Sequence, residues 1–312
     1  MKVHRELVGS LPDFRNAVVT IGSFDGVHLG HRKIIAQLKT EARKIDGETV
    51  IITFHPHPRK IISSVPGDIK LLNTLAEKIE LLEKAGIDHL VVVPFDHAFA
   101  SQSAEAYIND FLFRYFKPKL VIIGYDHRFG KGRVGNYELL EARGKELGFR
   151  VQEISEELLN EVVISSTKIR QALLDNEIEL ANEYLGYSYF FEGLVIEGNK
   201  LGRTIGYPTA NLHMNAEDKL VPGNGVYAVE VRHNGAAYYG MMNIGLRPTV
   251  DGKKRVIEVN IFDFSKDIYG EELVISIRHY LRGEVKFNGL EELKAQLKTD
   301  REQAMQLLEK KR

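Results

Sequence analysis

A chain of 312 residues with 44% hydrophobic side chains is long enough for two domains with separate cores and too apolar to be disordered. Its 42 Lys and Arg face 43 Asp and Glu, a net charge of -1, which excludes the broad basic surface of a nucleic-acid binder or a polybasic membrane binder. The absence of cysteine excludes disulfides, thiolate metal sites, iron–sulfur clusters and a cysteine nucleophile.

The opening MKVHRELVGSLPDF lacks the apolar centre of a secretory signal. The longest apolar runs, such as Leu90 to Pro94 and Leu120 to Ile123, are too short to span a bilayer, so the expectation is a soluble cytoplasmic protein. Ala17 to Gly22 reads as a strand, Arg32 to Lys44 as a helix through Ile34, Ile35, Leu38 and Ala42, and Thr49 to Phe54 as a β-branched strand. A helix around Ile79, Leu81 and Leu82, a strand at His89 to Pro94, a helix at Tyr107 to Phe116, a strand at Lys119 to Gly124 and a helix at Tyr137 to Leu147 follow. Strands alternating with helices of this length predict an α/β domain with a Rossmann-like parallel sheet.

Past Gly186 the pattern changes. Phe190 to Ile196, Val226 to Arg232, Ala237 to Met242, Val256 to Phe264 and Leu273 to Tyr280 read as strands separated by Gly, Pro, Asn and Asp clusters, which suits a small antiparallel β-barrel. A last helix from Leu290 carries Leu293, Leu297, Ala304, Leu307 and Leu308 on one stripe, with its charged side expected in solvent. The boundary is expected between Tyr184 and Tyr189, giving domains 1–184 and 185–312.

The densest chemical signal is Gly22-Ser-Phe-Asp-Gly-Val-His-Leu-Gly-His31, between the first strand and the first helix. Its glycines permit a tight turn and close backbone approach to a ligand. His28 and His31 fall where free helical N–H groups and the dipole favour an anion, as phosphate binding requires. Ile164-Ser-Ser-Thr-Lys-Ile-Arg170 opens another helix that Ser165 or Ser166 can cap, with Lys168 and Arg170 beside its positive end. His55-Pro-His-Pro-Arg59 and Gly124 to Gly135 also follow strands, where α/β sheets bind ligands. Gly130-x-Gly132-x-x-Gly135 has the form of a dinucleotide fingerprint, but it begins well after its strand and among basic residues. No Gly-x4-Gly-Lys-Ser/Thr loop is present.

Gly22 to His31 resembles the Gly-x-Phe-Asp-Gly-x-His-x-Gly-His signature of nucleotidyltransferases. With Phe54 to Pro58, the loop at 124–135 and Ile164 to Arg170, it is similar to the FMN adenylyltransferase module of bacterial bifunctional riboflavin kinase/FAD synthetases. That resemblance implies that His28 and His31 act on the ATP phosphates in catalysis. It implies further nucleotide contacts from Gly22, Phe24, Asp25, Gly30, Ser166, Thr167, Lys168 and Arg170, and flavin contacts from His57 and Asp126. His127 stands where a Phe is usual in the family.

In the second half, Gly198-Asn-Lys-Leu-Gly-Arg-Thr-Ile-Gly-Tyr-Pro-Thr-Ala-Asn211 has the glycines of a flap. Thr209 and Asn211 then offer neutral oxygens on one side of an extended segment. It resembles the Pro-Thr-Ala-Asn motif of riboflavin kinases. Asn243 to Thr249, Glu258 with Phe262-Asp-Phe264, Asp267 to Gly270, and Leu281 to Phe287 also match that family. The resemblance implies ATP contacts from Gly198, Lys200, Gly202, Arg203, Thr209 and Asn211, the last two also holding Mg²⁺. It implies flavin contacts from Asn243, Arg247 and Arg282, with Glu258 as the base that deprotonates the riboflavin hydroxyl. Asn260 differs from the residue expected two positions after that Glu.

The implied activities phosphorylate riboflavin to FMN and adenylylate FMN to FAD, with ATP consumed and ADP and pyrophosphate released. Two other readings stay open on sequence. One is a metal-dependent hydrolase with His28, His31, His55 and His57 as zinc or manganese ligands. The other is a flavin or nucleotide sensor without turnover.

Overall fold

The computed structural model describes residues 1–7, 11–62, 69–154, 164–198, 201–249 and 252–310. The chain divides into two compact units, Met1–Ser166 and Thr167–Arg312.

The first unit is built on six parallel strands: β1 (Lys2–His4), β2 (Val18–Ile21), β3 (Thr49–His55), β4 (His89–Pro94), β5 (Leu120–Gly124) and β6 (Arg150–Ile154), in the order β1-β4-β3-β2-β5-β6. β2 and nearly all of β3 are buried along their length, which is why they read as unbroken apolar runs instead of alternating ones. β1 and β6 complete the sheet and were not legible. β1 is three residues long, and Arg150 to Ile154 carries charges at both Arg150 and Glu153, as edge strands do. The predicted helix after the first strand begins earlier, giving α1 (Leu29–Lys44). A short α2 (Pro58–Ile62) follows β3, and α3 (Leu75–Lys84) starts with a capping box between Thr74 and Glu77. The segment read as a single helix at Tyr107 to Phe116 is widened to π-helical spacing over Tyr107–Phe113, where Tyr107, Ile108, Phe111 and Leu112 are all buried. The strand order reverses between β2 and β5. Ligands of open α/β sheets bind beyond the carboxyl ends at such a reversal.

In the second unit β7 (Phe190–Ile196), β8 (Ala210–His213), β9 (Gly225–His233), β10 (Ala236–Thr249), β11 (Gly252–Ile261) and β12 (Glu272–Arg282) close an antiparallel barrel in the order β10-β11-β8-β7-β12-β9. Closure removes free sheet edges, and register shifts between Ile277 and His279 and between Tyr280 and Arg282 bend β12 into the curve. From Thr167 on, the helix Ser166–Leu174 belongs to this unit, as does the helix Ile178–Leu185. The Leu173 carbonyl accepts from Gly223 N at 3.0 Å, Asn176 meets the Tyr227 hydroxyl at 2.6 Å, and Asn182 donates to the Ile277 carbonyl at 2.9 Å. The C-terminal helix Leu290–Glu309 lays Leu297, Ala304, Met305 and Leu308 against Ala228, Met241 and Phe262. Among the described residues no helix is long and apolar enough to cross a membrane.

Candidate functional site

Gly22 to His31 leaves β2 at the reversal and enters α1. The turn puts Phe24, Gly26 and Val27 at positive φ, and it buries Phe24 and Asp25. His28 is the N-cap of α1, its Nδ1 accepting from His31 N at 3.4 Å, and the His28 and His31 rings stack with centroids 3.7 Å apart. Gly30 is a glycine for a local reason: a Cβ there would lie 3.2 Å from the His28 ring. His31 also meets Phe24 at 4.9 Å, and its buried Nδ1 has no hydrogen-bond partner among the described residues. Burial, helped by the charges of His28 and Lys78, holds the His31 imidazole well below its ordinary range. His31 therefore rests neutral. A neutral ring offers a hydrogen bond, and Lys78 is a buried cation near it.

Asp25 was expected to face nucleotide. Its Oδ1 accepts from Leu72 N at 3.0 Å and Asn73 N at 3.3 Å, so one carboxylate oxygen ties the approach to α3 onto the loop. Ser166 is the first residue of its helix, and its hydroxyl donates to the Asp25 carbonyl at 2.9 Å. Thr167, Lys168 and Arg170 continue that helix. His57 is buried beyond β3 and accepts at Nδ1 from Arg59 N at 3.2 Å. Asp126 is exposed in the loop after β5. Its neighbour His127 is pushed down to about 4 by burial, against the pull of Asp126, and its Nε2 has no partner among the described residues. Beyond the adjacent strands β3, β2 and β5, the sheet thus presents His57, the His28–His31 pair and Asp126 on its carboxyl side.

In the barrel the register places Asn211 of β8 opposite Glu258 of β11, and Glu258 opposite Asn243 of β10. Directly paired residues share a face, so three polar side chains form one row across three strands. Arg247 Nη2 donates to Glu258 Oε1 at 3.1 Å. The row lies where two cavities adjoin. One, about 270 Å³, is lined by Tyr207, Thr209, Asn243, Glu258, Phe287 and Leu297 among others. The other, about 460 Å³, is lined by Gly198, Asn211, His213 and Arg255, and Arg247 borders both. A Cβ at Gly198 would overlap the Asn211 carboxamide, and one at Gly202 the Tyr207 carbonyl, so both glycines allow close chain packing at the site. Arg203 is exposed on the turn Leu201–Thr204, and Lys200 lies outside the described residues. Asn260 is buried and donates to the Pro208 carbonyl at 2.7 Å, holding the start of the Thr209–Asn211 segment.

Arg282, expected at the flavin, lines the smaller cavity and donates to Asp300, Nε to Oδ1 at 2.8 Å and Nη2 to Oδ2 at 2.7 Å, with Gln296 also donating to Oδ1. Asp300 is 1% exposed. Sequence reading missed it because it lies among the charges of a helix taken as solvated. Lys78 was missed too, although a Lys three and four residues before Leu81 and Leu82 sits on the apolar stripe. Among the described residues no group of three or more His, Asp and Glu is arranged to hold a metal ion, so the convergence that the hydrolase reading needs is not formed there.

A family model described as FAD synthetase matches residues 11–168, and one described as riboflavin kinase matches residues 185–308. A protein of Haemophilus influenzae named bifunctional riboflavin kinase/FMN adenylyltransferase is 39% identical over 305 residues, covering 97% of this chain and 98% of its own. A Listeria monocytogenes protein of the same name is 42% identical over 286 residues, covering 91% and 90%. A solved structure from Streptococcus pneumoniae, described as a macrolide-efflux protein, is 32% identical with a TM-score of 0.85, covering 94% of this chain and 95% of its own.

Proposed function

Given that this chain belongs to the bifunctional riboflavin kinase/FMN adenylyltransferase family, we propose that residues 1–184 carry adenylyl transfer and residues 185–312 phosphoryl transfer. The protein is a transferase that converts riboflavin to FMN and FMN to FAD, using ATP in both steps. The observation that carries the assignment of residues is the Asn211–Glu258–Asn243 row at the junction of two cavities.

In the kinase step riboflavin occupies the smaller cavity and ATP the larger. Glu258 takes the proton of the 5′-hydroxyl as its oxygen bonds to the γ-phosphorus, and the bond to the ADP oxygen breaks. Arg247, reaching Glu258 from the border of both cavities, holds that carboxylate and faces the transferring phosphate. Asn243 orients the flavin side. Thr209 and Asn211 present neutral hard oxygens, the donor type that suits Mg²⁺, and would hold it with ATP. When bound, Mg²⁺ supplies charge neutralisation at the phosphates. Gly198 lets the chain lie close to the nucleotide, and by the family motif Lys200, Gly202 and Arg203 add nucleotide contacts.

In the adenylyl step an FMN phosphate oxygen bonds to the α-phosphorus of ATP and pyrophosphate leaves. No covalent enzyme intermediate is involved, so the protein's task is placement and charge stabilisation. Gly22, Phe24, Asp25 and Gly30 shape the loop that presents His28 and His31 to the phosphates. Ser166, Thr167, Lys168 and Arg170 bind the triphosphate end, and His57 and Asp126 the flavin side. The ATP supply that both steps require fits a cytoplasmic enzyme.

The test is full-length protein incubated with riboflavin and Mg-ATP, with products separated by chromatography. FMN should appear first and FAD after it. Failure to form FMN removes the kinase assignment, and FMN that never becomes FAD removes the other.

A further inference from the structure

Local physical chemistry argues against an ammonium at position 78. Lys78 is the fourth residue of α3, near the positive end of the helix dipole, where a cation is unfavourable. It is 6% exposed, on the face that also buries Leu81 and Leu82. Among the described residues it makes no ion pair, and its one side-chain hydrogen bond runs from Nζ to the Ser23 carbonyl at 2.7 Å. That carbonyl already accepts from Thr53 Oγ1 at 3.2 Å, so the loop does not depend on Lys78 to satisfy it. The charged groups facing it are Asp25 from the phosphate loop, His31 from α1 and His55 from β3. Asp25 favours the ammonium, and Lys78 in turn disfavours protonation of both imidazoles. Glu77, its neighbour on α3, is turned to the Thr74 amide.

We propose that Lys78 is a positioning residue for the ATP of adenylyl transfer, a fixed ammonium beside the His28–His31 pair whose counter-charge is the incoming polyphosphate. The proposal rests on reading that pair as the phosphate cradle. It explains why a costly charge is kept where an apolar side chain would pack, and why the imidazole beside it can rest neutral. Burial lowers Lys78 to about 8, so it is charged at neutral pH and loses its proton just above, and a bound polyanion would pull that proton back.

The experiment measures FAD formation from FMN and Mg-ATP by the full chain, as KM for ATP against pH, in wild type, Lys78→Met and Lys78→Arg. Wild type should show a KM that climbs as pH rises through 8. Lys78→Met should raise KM at pH 7 about 30-fold, the order that one unit charge supplies inside a protein, and should flatten the alkaline rise. Lys78→Arg, charged throughout, should keep a low KM past the pH at which wild type weakens. Because Thr53 still serves Ser23, Lys78→Met should melt no lower than wild type. A Met variant with wild-type KM, or one that keeps the alkaline rise, overturns the proposal. So does a loss of folding in Lys78→Met coupled with a wild-type KM that does not change above pH 8. His31→Ala separates the two levels. If it leaves FAD formation intact, the cradle reading fails; if it cripples transfer while Lys78→Met does not, only the role of Lys78 fails.

Discussion

In the parallel-sheet half, the residues gathered at the candidate site come from loops and helix ends beyond the strands, while the strands themselves are core. In the barrel half, the row Asn211, Glu258 and Asn243 is on the strands, and register alone aligns it. The first arrangement collects groups that are distant in sequence and buries two of them, His31 and Lys78, at a cost to their charged forms. The second keeps its carboxylate partly exposed and paired with Arg247, whose own position borders both cavities. One nucleotide can thus be met by buried groups fixed by a turn, or by a polar stripe fixed by strand pairing. The two demand different tolerances: the turn depends on glycines and positive φ, the stripe on an unbroken register.

The two halves come apart most clearly when one reaction is removed at a time. Glu258→Ala should lower riboflavin phosphorylation by about 10³-fold while supplied FMN is still converted to FAD, since only the proton acceptor is lost. His31→Ala should lower FAD formation by about 10²-fold with FMN formation unchanged. A variant that stops both reactions in folded protein would show that the halves are not independent.

A smaller effect probes what holds the barrel's cavity wall. Arg282→Met leaves the buried Asp300 carboxylate without its bidentate partner and should cost about 3 kcal/mol in a denaturant titration of the barrel. Arg282→Met combined with Asp300→Leu should recover most of that loss, because no buried charge remains.

The smallest effect is in acid. His31 and His127 are held neutral in the folded protein, whereas in the unfolded chain they take up protons near 6.5. Stability of the parallel-sheet half is therefore level above pH 6.5 and falls below it, by about 2 kcal/mol at pH 5 for each ring that stays neutral. In the barrel, the hydrogen bond from His233, 2.6 Å away, holds the Glu271 carboxyl below its ordinary range, so that contact keeps its contribution through this pH window. Thermal melts between pH 7 and 5 should show the two halves separating, with the parallel-sheet half leaving first.

The central strands, the barrel and the motif loops were legible because each follows a local rule: buried β-branched runs, Gly-rich junctions, turn residues between short strands. The flanking strands β1 and β6 were not, being short or charged. The row at Glu258 could be named through its motifs, but its alignment with Asn211 and Asn243 depends on register, which no single segment encodes. Asp25 and Arg282 show the limit from the other side. Their motifs imply ligand contacts, and each also holds protein groups, Asp25 the Leu72 and Asn73 amides and Arg282, in the wall of the smaller cavity, the Asp300 carboxylate. A residue fixed in a motif can serve by holding the neighbours of a site, and sequence does not separate that from touching the ligand.

The helices Ser166–Leu174 and Ile178–Leu185 bear on any attempt to dissect the molecule. They carry Thr167, Lys168 and Arg170 in sequence continuity with the first half, yet their carbonyl and carboxamide bonds run to Gly223, Tyr227 and Ile277 of the barrel. A cut after Leu185 strips them of those partners and leaves Ile178, Ala181 and Leu185 bare, while a cut before Thr167 removes the cationic segment itself. Neither truncation should yield a self-contained adenylyltransferase, which activity of each fragment would check. A gene encoding the first activity alone would need either a rewritten apolar face on these helices or another surface to lay them on.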